Sequence, residues 1–333
     1  MNSKCCSFNP IIAGTGSYLP KKTLTNADLS LIVETNDEWI TTRTGIKTRR
    51  IAADNESTAT LATEAAKNAI ADAGITPEQV DMIIVATITP EMVFPSTACF
   101  VQNAIGAKNA WAFDISAACS GFVYGLSIAE QFIKAGKYEN ILVIGAETLS
   151  KITNYKDRTS CILFGDGSGA AVVQRSIGKS RGIIYSKTIS DGSGWGALKC
   201  EAYGSRNPVS RELANPDMVY MNINGREVYQ LAVRNIVDTV NECVAACNLS
   251  ISDIDLFIPH QMNARIIESS AKRLELDNDK VFVNIEKYGN TSAASIPIAM
   301  DEAKKQGRIK SGDIVILVAF GGGLTWGANV IEF

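Results

Sequence analysis

The chain has a single histidine, His260, among its 333 residues. One imidazole excludes a histidine-rich zinc centre, because such centres take several nitrogen ligands. Long apolar runs are also lacking, since none reaches the roughly 18 residues that a membrane-spanning helix needs. The first ten residues have neither the apolar core of a secretion signal nor an arginine-rich transit pattern. These absences predict a cytoplasmic protein with no metal ion and no membrane association.

The cysteines form no C-x-x-C pair, although the chain has eight of them. Their irregular spacing is typical of free thiols in a reducing compartment. Cys243 and Cys247 are four residues apart on a predicted helix, but no second ligand pair accompanies them. No role is predicted for Cys5 and Cys6. The positions are Cys5, Cys6, Cys99, Cys119, Cys161, Cys200, Cys243 and Cys247.

The charge balance also excludes a class of partner. A net charge of −3 provides no general attraction to nucleic acid or to an anionic membrane. An acidic partner would therefore have to meet a local basic patch.

Apolar runs of strand length alternate with helical patterns along the chain, which is 46% hydrophobic and 20% charged. The runs at 82–87, 141–145, 256–259 and 314–319 predict buried strands, and the segments 121–135 and 293–305 predict helices. This alternation indicates an α/β fold of packed layers.

The same order of elements occurs twice, with an offset of about 156 to 174 residues. Four landmarks keep their order, which favours two homologous halves, 1–178 and 179–333, over chance similarity of β/α units. At offset 171, Cys119 falls on Asn290, and each precedes a predicted helix. If the halves face each other, these helix N-termini converge, and His260 follows a strand at the edge where α/β folds bind ligands.

Cys119 is the candidate nucleophile. It lies in a turn of small residues before an apolar helix (SAACSGF, 116–122). A thiol at a helix N-terminus experiences the positive end of the helix dipole, which favours the nucleophilic thiolate.

His260 and Asn290 complete a constellation with two interpretations. Cysteine, histidine and asparagine together could form a papain-like hydrolase, in which the histidine deprotonates the thiol. They could equally supply two donors to a thioester carbonyl. The glycine run 321–323 lacks the lysine and hydroxyl residue of a P-loop, so a turn that presents a backbone N–H to an oxyanion is favoured over a phosphate cradle.

Taken together, the motifs resemble those of the β-ketoacyl-acyl-carrier-protein synthase III family, from residue 14 to residue 333. The densest matches are NDEWI (36–40), TRTGI (42–46), ACSGF (118–122), FGDG (164–167), PHQ (259–261), GNTSAAS (289–295), FGGG (320–323) and TWG (325–327).

The resemblance implies a thiolase fold, in which two homologous halves form five layers, αβαβα, and a homodimer. It implies that no cofactor is needed, because the coenzyme A thioester is a substrate. An acyl group passes from acyl-CoA to Cys119, and malonyl-acyl carrier protein then loses CO₂ and attacks it. His260 and Asn290 match the pair that stabilises the enolate, which raises the rate because the charge develops only in the transition state.

Further roles follow from the same resemblance. The N–H groups of Cys119 and Gly322 match the oxyanion hole, and the coenzyme A contacts match Trp39, Arg43, Arg158, Gly225 and Asn263. Phe320 matches an aromatic residue beside the cysteine. Phe94 matches the residue that closes the primer pocket from the partner subunit, and its bulk favours a short primer.

The resemblance also implies that the acidic carrier protein docks on one helix face, which carries Arg265, Lys272 and Arg273. Spacing alone is more typical of a solvated charged face. One departure from the family is Tyr229-Gln230, where phenylalanine followed by lysine is common. Three alternatives stay open: an acyltransferase of secondary metabolism with another starter or acceptor, a thioester hydrolase, and a non-catalytic protein that has kept the fold.

Overall fold

The computed structural model describes residues 8–178 and 182–333, so Cys5 and Cys6 lie outside the described residues. A five-stranded sheet and a four-stranded sheet form its frame. The strands are β1 (Phe8–Tyr18), β2 (Lys22–Thr25), β3 (Thr48–Ile51), β4 (Met82–Ala86), β5 (Trp111–Ile115), β6 (Asn140–Glu147), β7 (Gly167–Ile177), β8 (Gly182–Ser190), β9 (Leu198–Lys199), β10 (Asn222–Ile223), β11 (Leu256–Pro259), β12 (Ile314–Gly321) and β13 (Thr325–Glu332).

Helices cover both faces of each sheet. They are α1 (Asn26–Ser30), α2 (Asp37–Thr44), α3 (Thr58–Ala73), α4 (Thr97–Ile105), α5 (Gly121–Lys134), α6 (Gly225–Ala246), α7 (Ala264–Arg273), α8 (Ile285–Tyr288) and α9 (Ser295–Lys305). Local sequence sets their limits: α3 begins at a capping box, where the Ser57 side chain accepts from Thr60 N–H, and ends at Gly74 with φ 66°.

The two sheets have the same topology. The first has the order β1-β7-β6-β4-β5, and the second has β8-β13-β12-β11 followed by a parallel bridge from Phe257 to Val281. In each sheet the first two pairings are antiparallel and the next two are parallel. The chain thus forms two sheets with the same strand order, and it passes from the first to the second between β7 and β8.

Side chains that alternate along the strands build three packed interfaces. Met82 and Ile84 of β4 face α5, α9 and the second sheet, whereas Ile83 and Val85 face α3 and α4. Likewise, Val315 of β12 faces the central helices and Ile316 faces α6 and α7. The layers are therefore α3/α4, first sheet, α5/α9, second sheet and α6/α7, which confirms the five-layered thiolase fold.

No helix in the described ranges is long and apolar enough to cross a bilayer.

Candidate active site

Cys119 lies in a single 3-10 turn, Ala118–Ser120, that leads into α5. The turn starts from a left-handed residue, Ala118 with φ 46°, and leaves the cysteine 7% exposed. Gly321, at the end of β12, packs directly on it: a Cβ atom there would lie 2.7 Å from the backbone N of Cys119. Only glycine permits this approach, so the second sheet contacts the nucleophile turn.

The second half contains a matching turn, Ser292–Ala294, before α9. It also starts from a left-handed residue, Ser292 with φ 48°. Superposing the two turns pairs Cys119 with Ala293, an offset of 174 residues. The offset of 171 residues, which paired Cys119 with Asn290, is wrong at this point. The repeat length differs because α5 has 14 residues and α9 has 11. The two turns do meet, because a Cβ at Gly121 would lie 3.5 Å from that of Ala293.

His260 directly follows β11 and is 1% exposed. Its Nδ1 lies 2.5 Å from Ser295 Oγ, which also accepts from the backbone N–H of Gln261 at 3.3 Å. The serine oxygen accepts from that N–H and can donate its own proton to Nδ1, the arrangement in which the ring proton lies on Nε2. Among the described residues Nε2 has no hydrogen-bond partner, and burial lowers the pKa of His260 to about 3. The side chain is thus a neutral N–H donor.

Asn290 is held beside a bridge to Phe164, where its N–H donates to Leu163 O at 2.8 Å. Its side-chain oxygen accepts from Ser292 N–H at 2.9 Å. That bond fixes the orientation of the amide, because the oxygen is turned toward the following backbone and the NH₂ group is directed elsewhere. Asn290 lines the same cavity as His260 and Cys119, so it is a second neutral donor.

The ionisation of Cys119 differs from the expectation. Burial raises the pKa of its thiol to about 12, against a smaller opposing effect of Ser292, and the charge of Glu147 raises it further. Desolvation thus opposes the effect that was expected from the helix dipole, because burial disfavours the charged thiolate. Acyl transfer to this sulfur requires a group that accepts its proton.

The glycine run forms the tight turn between β12 and β13. Thr325 Oγ1 lies within hydrogen-bond distance of two carbonyls, Ala117 O at 2.9 Å and Gly322 O at 3.2 Å, and Ser120 Oγ donates to Thr325 O at 2.8 Å. These contacts fix the Gly322 turn relative to the nucleophile turn.

A cavity of about 490 Å³ joins these groups. Of the predicted residues, it brings together Cys119, Gly225, His260, Asn263, Asn290, Phe320 and Gly322. One wall is apolar and was not predicted from the sequence: Ile88, Leu149, Ile152, Phe164, Met221 and Ile223. These residues come from distant segments, and apart from Phe164 in the FGDG motif none has a local signal other than its hydrophobicity.

Three of the predicted coenzyme A residues, Trp39, Arg43 and Arg158, form a second group outside the cavity. The guanidinium carbons of Arg43 and Arg158 lie 4.6 and 5.4 Å from the centre of the Trp39 ring. The group is linked to the cavity because Asn263 Nδ2, at the N-cap of α7, donates to Arg43 O at 3.1 Å. A planar aromatic and cationic surface thus continues from the cavity mouth.

The predicted docking residues Arg265, Lys272 and Arg273 are exposed on α7. Arg265 Nε donates to Thr42 O at 3.0 Å, which ties α7 to α2. Tyr229 lines the cavity, and its hydroxyl lies 3.0 Å from Ser269 Oγ on α7. The basic helix therefore adjoins the cavity opening.

Phe94 does not line the cavity of its own chain, and it is 82% exposed. Its loop is held against β5, since Asp114 on that strand accepts from Thr97 N–H and Ala98 N–H at 2.6 and 2.8 Å. β5 is the edge of the first sheet.

Within the described ranges no cluster of histidine, cysteine, aspartate and glutamate could hold a metal ion. The described cysteines, Cys99, Cys119, Cys161, Cys200, Cys243 and Cys247, are free thiols.

Comparison with known proteins identifies the family. Models of 3-oxoacyl-[acyl-carrier-protein (ACP)] synthase III match residues 113–192, and models of its C-terminal part match residues 244–333. The chain is 57% identical to a beta-ketoacyl-[acyl-carrier-protein] synthase III from Caldanaerobacter subterraneus and 54% identical to one from Clostridioides difficile, over 97% of this chain and 97% and 98% of theirs. The crystal structure of 3-oxoacyl-[acyl-carrier-protein] synthase III from Aquifex aeolicus superposes with a TM-score of 0.91 at 49% identity, covering 97% of this chain and all of that one. The family and enzyme class predicted from the sequence are thus confirmed, and the chain belongs to the β-ketoacyl-acyl-carrier-protein synthase III family of condensing acyltransferases.

Proposed function

We propose that this enzyme initiates type II fatty acid synthesis by condensing a short acyl-CoA with malonyl-acyl carrier protein, giving β-ketoacyl-acyl carrier protein, CO₂ and coenzyme A. One observation supports the proposal above all: Cys119 and two neutral hydrogen-bond donors, His260 and Asn290, line the same cavity. Charged partners would suit a hydrolase that keeps a thiolate–imidazolium pair, whereas neutral donors suit an enolate.

Acylation is the first half-reaction. The sulfur of Cys119 attacks the thioester carbonyl, whose oxygen becomes negative. This oxygen accepts hydrogen bonds from the backbone N–H groups of Cys119 and Gly322. Support comes from the contacts of Thr325 and Gly321, which hold the two turns together. Donors fixed before the reaction stabilise developing charge without reorganisation. The apolar wall of Leu149, Phe164 and Met221 accepts the acyl chain.

Decarboxylation is the second half-reaction. The thioester oxygen of malonyl receives hydrogen bonds from His260 Nε2–H and Asn290 Nδ2–H, and loss of CO₂ places negative charge on that oxygen. The resulting carbanion attacks the acyl group on Cys119. The buried ring of Phe320 lines the same cavity and disfavours a carboxylate there, which promotes its loss as neutral CO₂.

Substrate binding extends from the cavity to the surface. Trp39 and Arg158 stack on the adenine of coenzyme A, Arg43 contacts its phosphates, and Gly225 and Asn263 flank the pantetheine arm. The cation–aromatic geometry at Trp39 supports this assignment. Arg265, Lys272 and Arg273 bind the acidic carrier protein beside the opening. The enzyme uses no cofactor, because the coenzyme A thioester is itself a substrate, and its free thiols fit a cytoplasmic location.

The enzyme works as a homodimer. β5 is only partly covered, with Trp111 42% exposed, whereas β4 beside it is fully buried. An exposed edge strand pairs readily with a second copy. The loop of Phe94 is bound to β5 through Asp114, so pairing at this edge would carry Phe94 toward the partner's cavity, where it limits the primer length.

Mass spectrometry after mixing with acetyl-CoA tests the proposal. The protein should gain the mass of one acetyl group, and it should release β-ketoacyl-carrier protein and CO₂ only after malonyl-carrier protein is added. Cys119→Ala should abolish the label, whereas Cys200→Ala, which removes another thiol of the cavity, should still take it up. Free fatty acid in place of the condensed product would indicate a hydrolase. Labelling only by aromatic or long-chain acyl-CoA would indicate an acyltransferase of secondary metabolism.

A further inference from the structure

Glu147, the last residue of β6, is a fully buried carboxyl group next to the site. It accepts hydrogen bonds from Thr89 Oγ1 at 2.6 Å, Thr87 Oγ1 at 3.2 Å and the Ile88 N–H at 3.2 Å. Within the described part of the chain it forms no ion pair with lysine, arginine or histidine. A buried acid without a cationic partner is costly to the fold, which favours a functional reason for keeping it.

Ser292 connects this acid to the nucleophile. β6 packs on the Ser292 turn so closely that a Cβ at Gly145 would lie 2.1 Å from Ala293 O. The buried hydroxyl of Ser292 makes no hydrogen bond of regular geometry with a described residue, yet it is close enough to the Cys119 thiol and to the Glu147 carboxyl to lower the pKa of each. Ser292 and Ile88 both line the cavity with Cys119. The Ser292 turn therefore lies between the end of β6 and the cavity that contains Cys119.

We propose that Ser292 and Glu147 accept the proton of Cys119 during acylation. The thiol proton moves to Ser292 Oγ while the hydroxyl proton moves to the Glu147 carboxylate. The sulfur forms a bond to the acyl carbon, and the bond from that carbon to the sulfur of coenzyme A breaks. The proton then returns along the same path to the departing thiolate, which leaves as the free thiol. Glu147 acts through Ser292 and is a positioning residue.

Electrostatics favour this acid over His260 as the proton acceptor. Burial raises the pKa of Glu147 and lowers that of His260, so desolvation makes the carboxylate more basic and the imidazole less basic. The charge of Glu147 raises the pKa of the Cys119 thiol, and protonation of Glu147 removes that charge as the sulfur gains one. The other groups that face Glu147 are neutral: the hydroxyls of Thr87, Thr89 and Ser292 and one backbone N–H. The Cys119 thiol and the Glu147 carboxyl together thus carry one negative charge throughout the step.

The proposal rests on Cys119 as the nucleophile, and single-turnover acetylation by acetyl-CoA between pH 5.5 and 9 tests it. Glu147→Gln should slow labelling at pH 7 by about 100-fold and move the rise of the rate to higher pH. Ser292→Ala should do the same, and the double variant should be no slower than Glu147→Gln, because both changes interrupt one path. Condensation from enzyme acetylated by long incubation should stay within about threefold, which separates a proton path from a general structural defect.

Asp301→Asn is the matched control. Asp301 is also buried and also accepts hydrogen bonds from two hydroxyls, those of Thr15 and Ser17, but it lies on α9 away from the cavity. The Asp301→Asn variant should be acetylated at the wild-type rate. An unchanged pH profile in both Glu147→Gln and Ser292→Ala would overturn the proposal, as would an equal loss of both half-reactions in folded protein. If wild-type label appeared elsewhere than on Cys119, the proposed function itself would be wrong.

Discussion

Two buried groups beside Cys119 give the stability of the fold opposite dependences on pH. The pKa of His260 falls from 6.5 to about 3 on burial, so below pH 6.5 the unfolded chain binds a proton that the folded chain does not. Its contribution is complete above pH 6.5 and is lost as the pH falls toward 3. The pKa of Glu147 rises from 4.5 to about 7, so its contribution is complete below pH 4.5 and is lost as the pH rises toward 7.

The two windows overlap between pH 4.5 and 6.5. Each group there changes the free energy of unfolding by about 1.4 kcal/mol per pH unit, or about 2 to 3 kcal/mol in total, with opposite signs. They cancel in the wild type. In His260→Gln, stability relative to the wild type should therefore fall by about 2 to 3 kcal/mol as the pH rises from 4.5 to 6.5. In Glu147→Gln it should rise by the same amount.

Urea unfolding at several pH values and one fixed protein concentration measures these differences. Glutamine keeps a hydrogen-bonding side chain at both positions, so the change isolates the titration. The double variant is the control, because it lacks both contributions and should run parallel to the wild type. Differences that do not vary with pH in the single variants would refute the argument that burial keeps both groups neutral.

Three further predictions concern catalysis. Replacing His260 or Asn290 by alanine should leave acetylation largely intact but slow malonyl decarboxylation by about 100- to 1000-fold, since each variant loses one donor to the enolate; both steps are measured by rapid quench. Lys272→Glu with Arg273→Glu should raise KM for malonyl-carrier protein, less so at high salt, and should spare acetylation. Gly321→Ala should slow acetylation, because its Cβ would lie 2.7 Å from Cys119 N and displace the nucleophile turn.

Each of these has a control and a contradicting result. Loss of acetylation in His260→Ala as complete as in Cys119→Ala would favour a papain-like role for the histidine. Lys21→Glu with Lys22→Glu makes the same change in net charge at an exposed site on another element, and an equal rise in KM there would show that docking is not specific to α7. Gly204→Ala, at an exposed position with open space around it and no left-handed backbone, should leave acetylation unchanged.

The sequence predicted the groups whose chemistry is rare. The only histidine could be singled out by its rarity. The cysteine before an apolar helix and the asparagine in a small-residue turn could be singled out by their local setting. Strand limits were also close, as for β11, which the apolar run 256–259 matches. These features depend on local pattern, which a single sequence contains.

Features that depend on tertiary burial could not be predicted in the same way. The desolvation that raises the pKa of Cys119 arises from both halves of the molecule, so the local helix dipole suggested the opposite shift. Ser295 beside His260 and Glu147 beside Ser292 are distant in sequence from the groups they affect. The repeat gave the wrong partner for Cys119 because α9 is three residues shorter than α5.

The burial of His260 suits the second half-reaction better than a charged imidazole would. An imidazolium would attract the malonyl carboxylate in the ground state, and an interaction that is strong before the transition state does not lower the barrier. A neutral Nε2–H interacts weakly with the thioester oxygen at first and more strongly as that oxygen gains charge. The orientation of the Asn290 amide, fixed by Ser292 N–H, adds a second donor of the same kind. In the proposed mechanism, desolvation keeps His260 uncharged, and its hydrogen bond therefore favours the enolate over the leaving carboxylate.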